Sequence, residues 1–224
     1  MRGLEGGHTT EAQDEVPPPI LEGPAGQPAI GIVSSGFGSE AIHEALRETG
    51  RYRVGLVHGV ALPAFQPCDV LIFPQRRNPK ALSKRSCWVI WEWVEQGGRL
   101  ILTHDAVGYR DHPLLFPWVC SGGTAHVNRQ TVRVVWAPEG EQPLGEITHT
   151  YTDHILLRPC LRAKVTAIAV DAETGEPVVS GAEFETGKVV ACGLAIGLAP
   201  DESESLPENG ERGLLEVMLK WLLG

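Results

Sequence analysis

Paired cysteines, long apolar runs and positive charge are all scarce in this chain of 224 residues. No stretch approaches the roughly 20 consecutive apolar residues that a membrane-spanning helix needs. The opening residues Met1-Arg2-Gly3-Leu4-Glu5 also lack the apolar segment of a secretory leader, so neither a membrane protein nor a secreted one is expected. The five cysteines (Cys68, Cys87, Cys120, Cys160 and Cys192) are odd in number, widely spaced and without a C-x-x-C pair. That pattern argues against a zinc knuckle or a disulfide frame. It fits free thiols in a reducing compartment, with the cytoplasm as the expected location. Lys and Arg number 19 against 28 Asp and Glu, a formal charge of −9, and such a field repels phosphate backbones and anionic lipid. Nucleic acid and membrane surfaces are therefore not expected as partners.

Hydrophobic residues make up 42% of the chain, enough for one core of ordinary size, which is expected at 29–224. Residues 1–28 are rich in Gly, Pro and acidic side chains and contain Pro17-Pro18-Pro19. They have too few clustered apolar residues to offset the entropy of ordering and read as a flexible arm. From Ala29 the pattern becomes regular. Ala29–Val33 is a buried strand entering the loop Ser34-Ser35-Gly36-Phe37-Gly38; Ser39 caps a helix over 40–49, stopped by Gly50. Tyr52–Val57, Asp69–Phe73 and Arg99–Thr103 follow as strands, with a helix over Ser83–Glu95 ended by Gly97-Gly98. This alternation predicts an open parallel sheet with helices on both faces, a three-layer α/β/α sandwich. Past Gly108 the rhythm changes. Thr131–Trp136, Val165–Val170, Val178–Glu183 and Val189–Cys192 read as strands joined by the turns 171–176 and 185–187, an antiparallel extension. A closing helix over Glu211–Leu223 carries a wide apolar face, and no internal repeat is visible.

In an open parallel sheet, ligands bind beyond the carboxyl ends of the strands, which singles out three loops. The first, Gly36-Phe37-Gly38-Ser39-Glu40-Ala41, matches G-x-G-x-x-A, and backbone amides at a helix start can cradle an anion; a plain tight turn explains the glycines equally. The second strand ends in Leu56-Val57-His58 rather than in the acidic residue a dinucleotide ribose wants. The second loop holds Gln75, Arg76 and Arg77, whose guanidinium groups suit a carboxylate or phosphate. The third, Thr103-His104-Asp105-Ala106-Val107-Gly108, is a strand running into a small-residue turn that presents a carboxylate beside an imidazole. His104 and Asp105 are the best catalytic candidates, as an acid/base pair or as metal ligands, with His154 assisting. Ser35, Gly36, Gly38, Gln75, Arg76 and Tyr109 are the candidate ligand-binding residues.

Further histidines gather downstream at His112, His126, His149 and His154, with Tyr151 and Asp153 among them. Their spacing is neither that of H-E-x-x-H nor accompanied by cysteine, so no metal or other cofactor is expected. Trp88, Trp91 and Trp93 make the helix from Ser83 apolar around most of its girth. Two of these indoles belong in the core, and the third suits a subunit contact in a homo-oligomer or a protein partner.

The order of elements resembles the class I glutamine amidotransferase-like superfamily, and within it the ThuA-like, non-amidotransferase branch. The resemblance is carried by Cys68–Pro74, by Trp93–Asp105 with its Gln96-Gly97-Gly98-Arg99-Leu100-Ile101-Leu102-Thr103, and by Gly187–Gly193. It implies a flavodoxin-like sandwich over 29–224. It also exposes three departures. The nucleophilic Cys of that superfamily follows the strand matching Arg99–Thr103, where ungapped matching puts Asp105. The glycine pair that helps form the oxyanion hole is replaced by Gln75 and Arg76, and the late His and Glu are replaced within Gly193–Ala199. Glutamine hydrolysis by this route is not expected. Two functions stay open: a non-catalytic module that binds a small ligand or a protein, and a carbohydrate-active enzyme using Asp105 and His104.

Overall fold

The computed structural model describes residues 16–75, 84–108, 121–159, 164–184 and 186–224. The candidates Arg76 and Tyr109, together with His112, Cys120 and Cys160, lie outside these. In chain order the elements are β1 (Ala29–Val33), α1 (Ser39–Thr49), β2 (Arg53–Val57), the single turn α2 (Leu62–Phe65), β3 (Val70–Phe73), α3 (Lys84–Glu95) and β4 (Arg99–Thr103). A 3-10 turn at His104–Val107 follows. The chain continues through β5 (Ser121–Val127), β6 (Thr131–Val134), β7 (Gly145–Thr148), β8 (His154–Pro159), β9 (Val165–Asp171), β10 (Pro177–Phe184), β11 (Gly187–Cys192) and α4 (Asn209–Leu223).

Nine strands form one sheet in the order β2-β1-β3-β4-β11-β10-β9-β6-β7. The pairs β2/β1, β1/β3, β3/β4 and β4/β11 are parallel; β11/β10, β10/β9, β9/β6 and β6/β7 are antiparallel. The α/β class holds, but the sheet is mixed in equal parts rather than mostly parallel. Short turns such as Asp171–Glu176 let the later strands fold back on their neighbours, whereas parallel neighbours require crossovers.

The parallel strands read as unbroken apolar runs because both of their faces are covered. Along β4, Ile101 joins the cluster built with Ile42 and Leu46 of α1 and Leu214, Met218 and Leu222 of α4. Its neighbours Leu100 and Leu102 join Phe65 of α2 and Ile90, Trp91 and Trp93 of α3. Alternate side chains of one strand therefore enter two different clusters. Two of the three indoles of α3 are buried and Trp88 is 57% exposed, as the apolar girth of that helix suggests. Among the described residues no helix is long and apolar enough to cross a membrane.

Three features differ from the sequence reading. The described part of the N-terminal arm runs beside the edge strand β2, where Glu22 exchanges two backbone hydrogen bonds with Val54 at 2.9 and 2.8 Å. This covers an edge that would otherwise offer unpaired groups. Gly38, not Ser39, is the N-cap of α1; its left-handed φ of 77° suits glycine, and Ser39 Oγ donates back to Gly36 O at 3.0 Å. Finally, β5 and β8 pair with each other as a separate two-stranded ribbon. The ribbon is stitched to the end of β11: Ile155 N donates to Gly193 O at 2.9 Å, and Gly193 N donates to Val178 O at 2.8 Å.

A Cβ at Gly193 would lie 2.0 Å from Ile155 O, a backbone atom that cannot swing aside. Gly193→Ala is expected to cost about 1–3 kcal/mol of stability. The urea midpoint should fall with an unchanged slope; an unaltered midpoint would contradict the tight ribbon junction.

Candidate functional site

Because β1, β3, β4 and β11 run parallel, their carboxyl ends open on the same edge of the sheet. The loops leaving that edge meet in a small cavity of about 80 Å³, lined by Phe37, Gln75, His104, Asp105, Tyr151, Ala195, Leu198 and Glu202. A bulk water occupies about 30 Å³, so the space suits a few heavy atoms or one end of a larger molecule. Gln75 forms part of the floor and is held rigidly. Its side-chain carbonyl accepts from Thr103 Oγ1 at 2.6 Å, its backbone N–H donates to the same Oγ1 at 3.1 Å, and Nε2 donates to Ile196 O at 3.3 Å.

His104 stands where β4 leaves the sheet. Its φ is +44°, one of two positive values on non-glycine residues among those described. Such a conformation costs on the order of 1–3 kcal/mol and persists only where the surroundings enforce it. The strained residue of this turn is therefore His104, one position before Asp105. Its side chain is 7% exposed, with Nδ1 3.5 Å from Asp105 Oδ2 and Nε2 3.5 Å from Asp153 Oδ1. Asp153 Oδ2 lies 2.8 Å from His126 Nδ1. The His104 ring meets those of His126 and Tyr151 edge-on, at centroid distances of 5.2 and 5.8 Å. Burial works against a charged His104, but Asp105 and Asp153 on either side outweigh it and raise its pKa above the ordinary histidine value.

Strand pairing brings these groups together. The β5/β8 register sets His126 opposite Ile155 and Val127 opposite His154, which leaves Asp153 just outside the ribbon and near His126. One ligand atom each from His104, His126 and Asp153 lies within 4.8 Å of the others. The expectation of no metal rested on spacing along the chain, which does not register a grouping drawn from three elements distant in sequence.

Behind the cavity runs a second, fully buried set. His154 Nε2 lies 3.0 Å from Asp171 Oδ2, and His154 Nδ1 lies 3.1 Å from both His149 Nε2 and Arg129 O. Burial lowers the pKa of His154 despite its carboxylate neighbour, and burial plus the adjacent His154 push His149 down to about 4. Both rings are therefore neutral at pH 7. Asp171 also accepts from Arg129 Nη1 at 2.9 Å and from the amide and hydroxyl of Thr174 at 2.7 and 2.8 Å. Burial alone would raise its pKa, yet these donors hold it at about 2.

The structure thus draws His104, Asp105 and Gln75 to the cavity and sets His154 in the buried network behind it. Ser35 is exposed, while Gly36 and Gly38 are buried in tight turns. A Cβ at Gly36 would meet Pro74 Cβ at 2.7 Å, and one at Gly38 would meet Ile196 O at 2.4 Å. Close packing of loop on loop accounts for both glycines. The α1 amides that could cradle an anion are already served by the chain itself: Glu40 N and Ala41 N both donate to Glu204 Oε2 at 3.2 Å. Cys192 is fully buried in β11 opposite Thr103. Burial pushes its thiol pKa up to about 12, the reverse of what a nucleophilic cysteine needs. Glu202 is a cavity residue that the sequence did not single out. His126, Tyr151 and Asp153 were visible only as part of a histidine-rich stretch.

No family model and no curated protein matches this chain. Solved structures do. The mmIFT52 N-terminal domain aligns over 87% of this chain and 97% of its own, with a TM-score of 0.61 and 12% identity. A ThuA-like protein from Bacteroides uniformis ATCC 8492 aligns over 89% and 94%, with a TM-score of 0.60 and 10% identity. The β-galactosidase from Bacillus circulans sp. alkalophilus matches at a TM-score of 0.60 and 11% identity over 87% of this chain. That alignment covers 31% of the enzyme, so this chain spans about a third of its length. Likeness at these identities is one of fold alone.

Asp171 supplies a pH test of the buried network. Its pKa is depressed from 3.8 to about 2, so its contribution to stability is fully present above about pH 4 and is lost as pH falls toward 2, a total of about 2 kcal/mol. Asp171→Asn should lower stability at pH 7 and flatten that part of the acid-unfolding curve. An unchanged acid limb would contradict the network.

Proposed function

We propose that this protein is a binding module on a glutaminase-like scaffold, in which a small polar ligand, or one end of a larger one, sits at the carboxyl ends of β1, β3, β4 and β11. The observation that carries the reading is the joint lining of one cavity by Gln75, His104, Asp105, Tyr151 and Glu202, while the nearest thiol in the sheet, Cys192, is buried and held protonated. The lining offers imidazole, carboxylate, amide and phenol groups around an aromatic wall, the mixture that fixes the orientation of a small polar molecule. The finer fold reading belongs here too: a flavodoxin-like three-layer sandwich over 29–224, supported by apolar clusters that hold α1 and α4 in one group and α2 and α3 in the other. A cytoplasmic location is supported by Cys68 and Cys192, buried thiols outside any disulfide. A protein partner or second copy is supported by the exposed indole of Trp88, and the net charge of −9 speaks against nucleic acid.

A second reading, an acid/base enzyme acting on carbohydrate, draws on one specific feature. His104 stands between the carboxylates of Asp105 and Asp153 in a nearly dry site, an arrangement able to hold and deliver a proton.

Purified protein should release no ammonia from glutamine, and Cys192→Ser should leave that result unchanged. Ammonia release abolished by Cys192→Ser would overturn the proposal. For the second reading, any hydrolysis of aryl glycosides should fall by about 100-fold or more in the double variant Asp105→Asn, His104→Ala; an unaltered rate would remove that assignment.

A further inference from the structure

We infer that His104, His126 and Asp153 form a site for a first-row divalent cation of the Zn2+ type, placed so that its open coordination position faces the ligand cavity. The inference deepens the reading of that cavity as the binding site and rests on it.

The geometry comes first. Metal bonds of about 2.0–2.1 Å at tetrahedral angles set ligand atoms about 3.3 Å apart. Asp153 presents one carboxylate oxygen to each ring, Oδ1 at 3.5 Å from His104 Nε2 and Oδ2 at 2.8 Å from His126 Nδ1, and one ligand atom from each of the three residues lies within 4.8 Å of the others. Two imidazoles and one carboxylate suit Zn2+ in its catalytic or ligand-binding form, with three protein ligands and one position left for an outside molecule.

His104 provides an independent sign. Its side chain is more than nine-tenths buried, and its Nε2 makes no hydrogen bond, with Asp153 Oδ1 standing off at 3.5 Å. A buried imidazole nitrogen aimed at a carboxylate without bonding it is costly as a protein-only arrangement. It is the position a coordinating lone pair would take. Asp105 completes the logic from the other side of the ring. Its carboxylate faces Nδ1 at 3.5 Å, and with a cation on Nε2 it would accept the remaining Nδ1 proton, the usual pairing of a carboxylate with a metal-bound histidine. Coordination through His126 Nδ1 requires the neutral imidazole to carry its proton on Nε2, so the cation replaces the direct His126–Asp153 contact.

The supports are rigid. His104 is fixed at the end of a central strand, His126 by the β5/β8 register, and Asp153 by its place beside the buried His154. Tyr151, whose ring lies edge-on to His104, and Glu202 share the cavity wall on which an incoming ligand atom would rest.

The test uses the full chain, stripped with a chelator, dialysed and titrated with ZnCl2 alone in a calorimeter at pH 7. One ion per chain is expected. Asp153→Asn and His126→Ala should each weaken binding by about 100-fold or more, and Asp105→Asn by about 10-fold. Co2+ in place of zinc should show the visible bands of a four-coordinate nitrogen/oxygen site without thiolate charge transfer, a readout that stands even if a variant fails to fold. No saturable uptake, equal affinity in the wild type and both ligand variants, or thiolate bands that put the ion on a cysteine would each overturn the inference. The two proposals fail separately. Absence of metal uptake with glutamine left intact removes only the cation, whereas ammonia release dependent on Cys192 removes the binding-module reading whatever the metal result.

Discussion

β4 is hydrogen-bonded on both sides to parallel neighbours, with Leu102 opposite Phe73 of β3 and Thr103 opposite Cys192 of β11, and the site depends on that double clamp. A strand so held leaves the sheet at one defined point. The residue at that point, His104, turns through a left-handed conformation into a 3-10 turn closed by Gly108. The strain is offset by what it positions: the imidazole is carried over the sheet edge rather than into either apolar cluster. The β5/β8 ribbon, tied to the end of β11 through Gly193, brings His126 and Asp153 to the same spot. Fold and site thus share one junction, and the packing that forbids a side chain at Gly193 also sets the position of the cluster.

The chemistry that follows differs from thiol chemistry in kind. A nucleophilic cysteine needs an electropositive, accessible setting, and Cys192 has neither access nor a lowered pKa. At the sheet edge an imidazole flanked by carboxylates stands in a poorly solvated pocket instead. Such a set favours positive charge, on a proton or on a cation, and orients a polar ligand through several donors at once. Behind it, neutral His149 and His154 with ionised Asp171 form a hydrogen-bonded polar network, whose contribution is to fix the ribbon and the loop before β8.

The elements legible in the sequence are those whose two faces are both buried. β1, β2, β3 and β4 stand within a residue of their expected bounds because continuous apolar runs admit few other readings. β5, β7 and β8 were not legible. β5 opens on Ser121-Gly122-Gly123, β7 has four residues starting with glycine, and β8 holds three apolar residues between His154 and Arg158. Their extended form comes from pairing with distant partners, which local pattern does not record. The site divides the same way. His104, Asp105 and Gln75 were legible from the rule that ligands gather at strand carboxyl ends. His126, Asp153 and Glu202 reach the cavity only through tertiary register, and the occupation of the α1 amides by Glu204 follows from a loop over 160 residues further along the chain. His154 drew attention for its chemistry and lies instead in the buried network.

The convergence of His104, His126 and Tyr151 at the strand ends is the centre of this account, and nuclear Overhauser contacts between their ring protons measure it most directly. Cross-peaks are expected from the His104 ring to the rings of both His126 and Tyr151, with His104 titrating above the ordinary histidine value. A His104 ring without those contacts, titrating near 6.5 like a solvent-exposed imidazole, would contradict it.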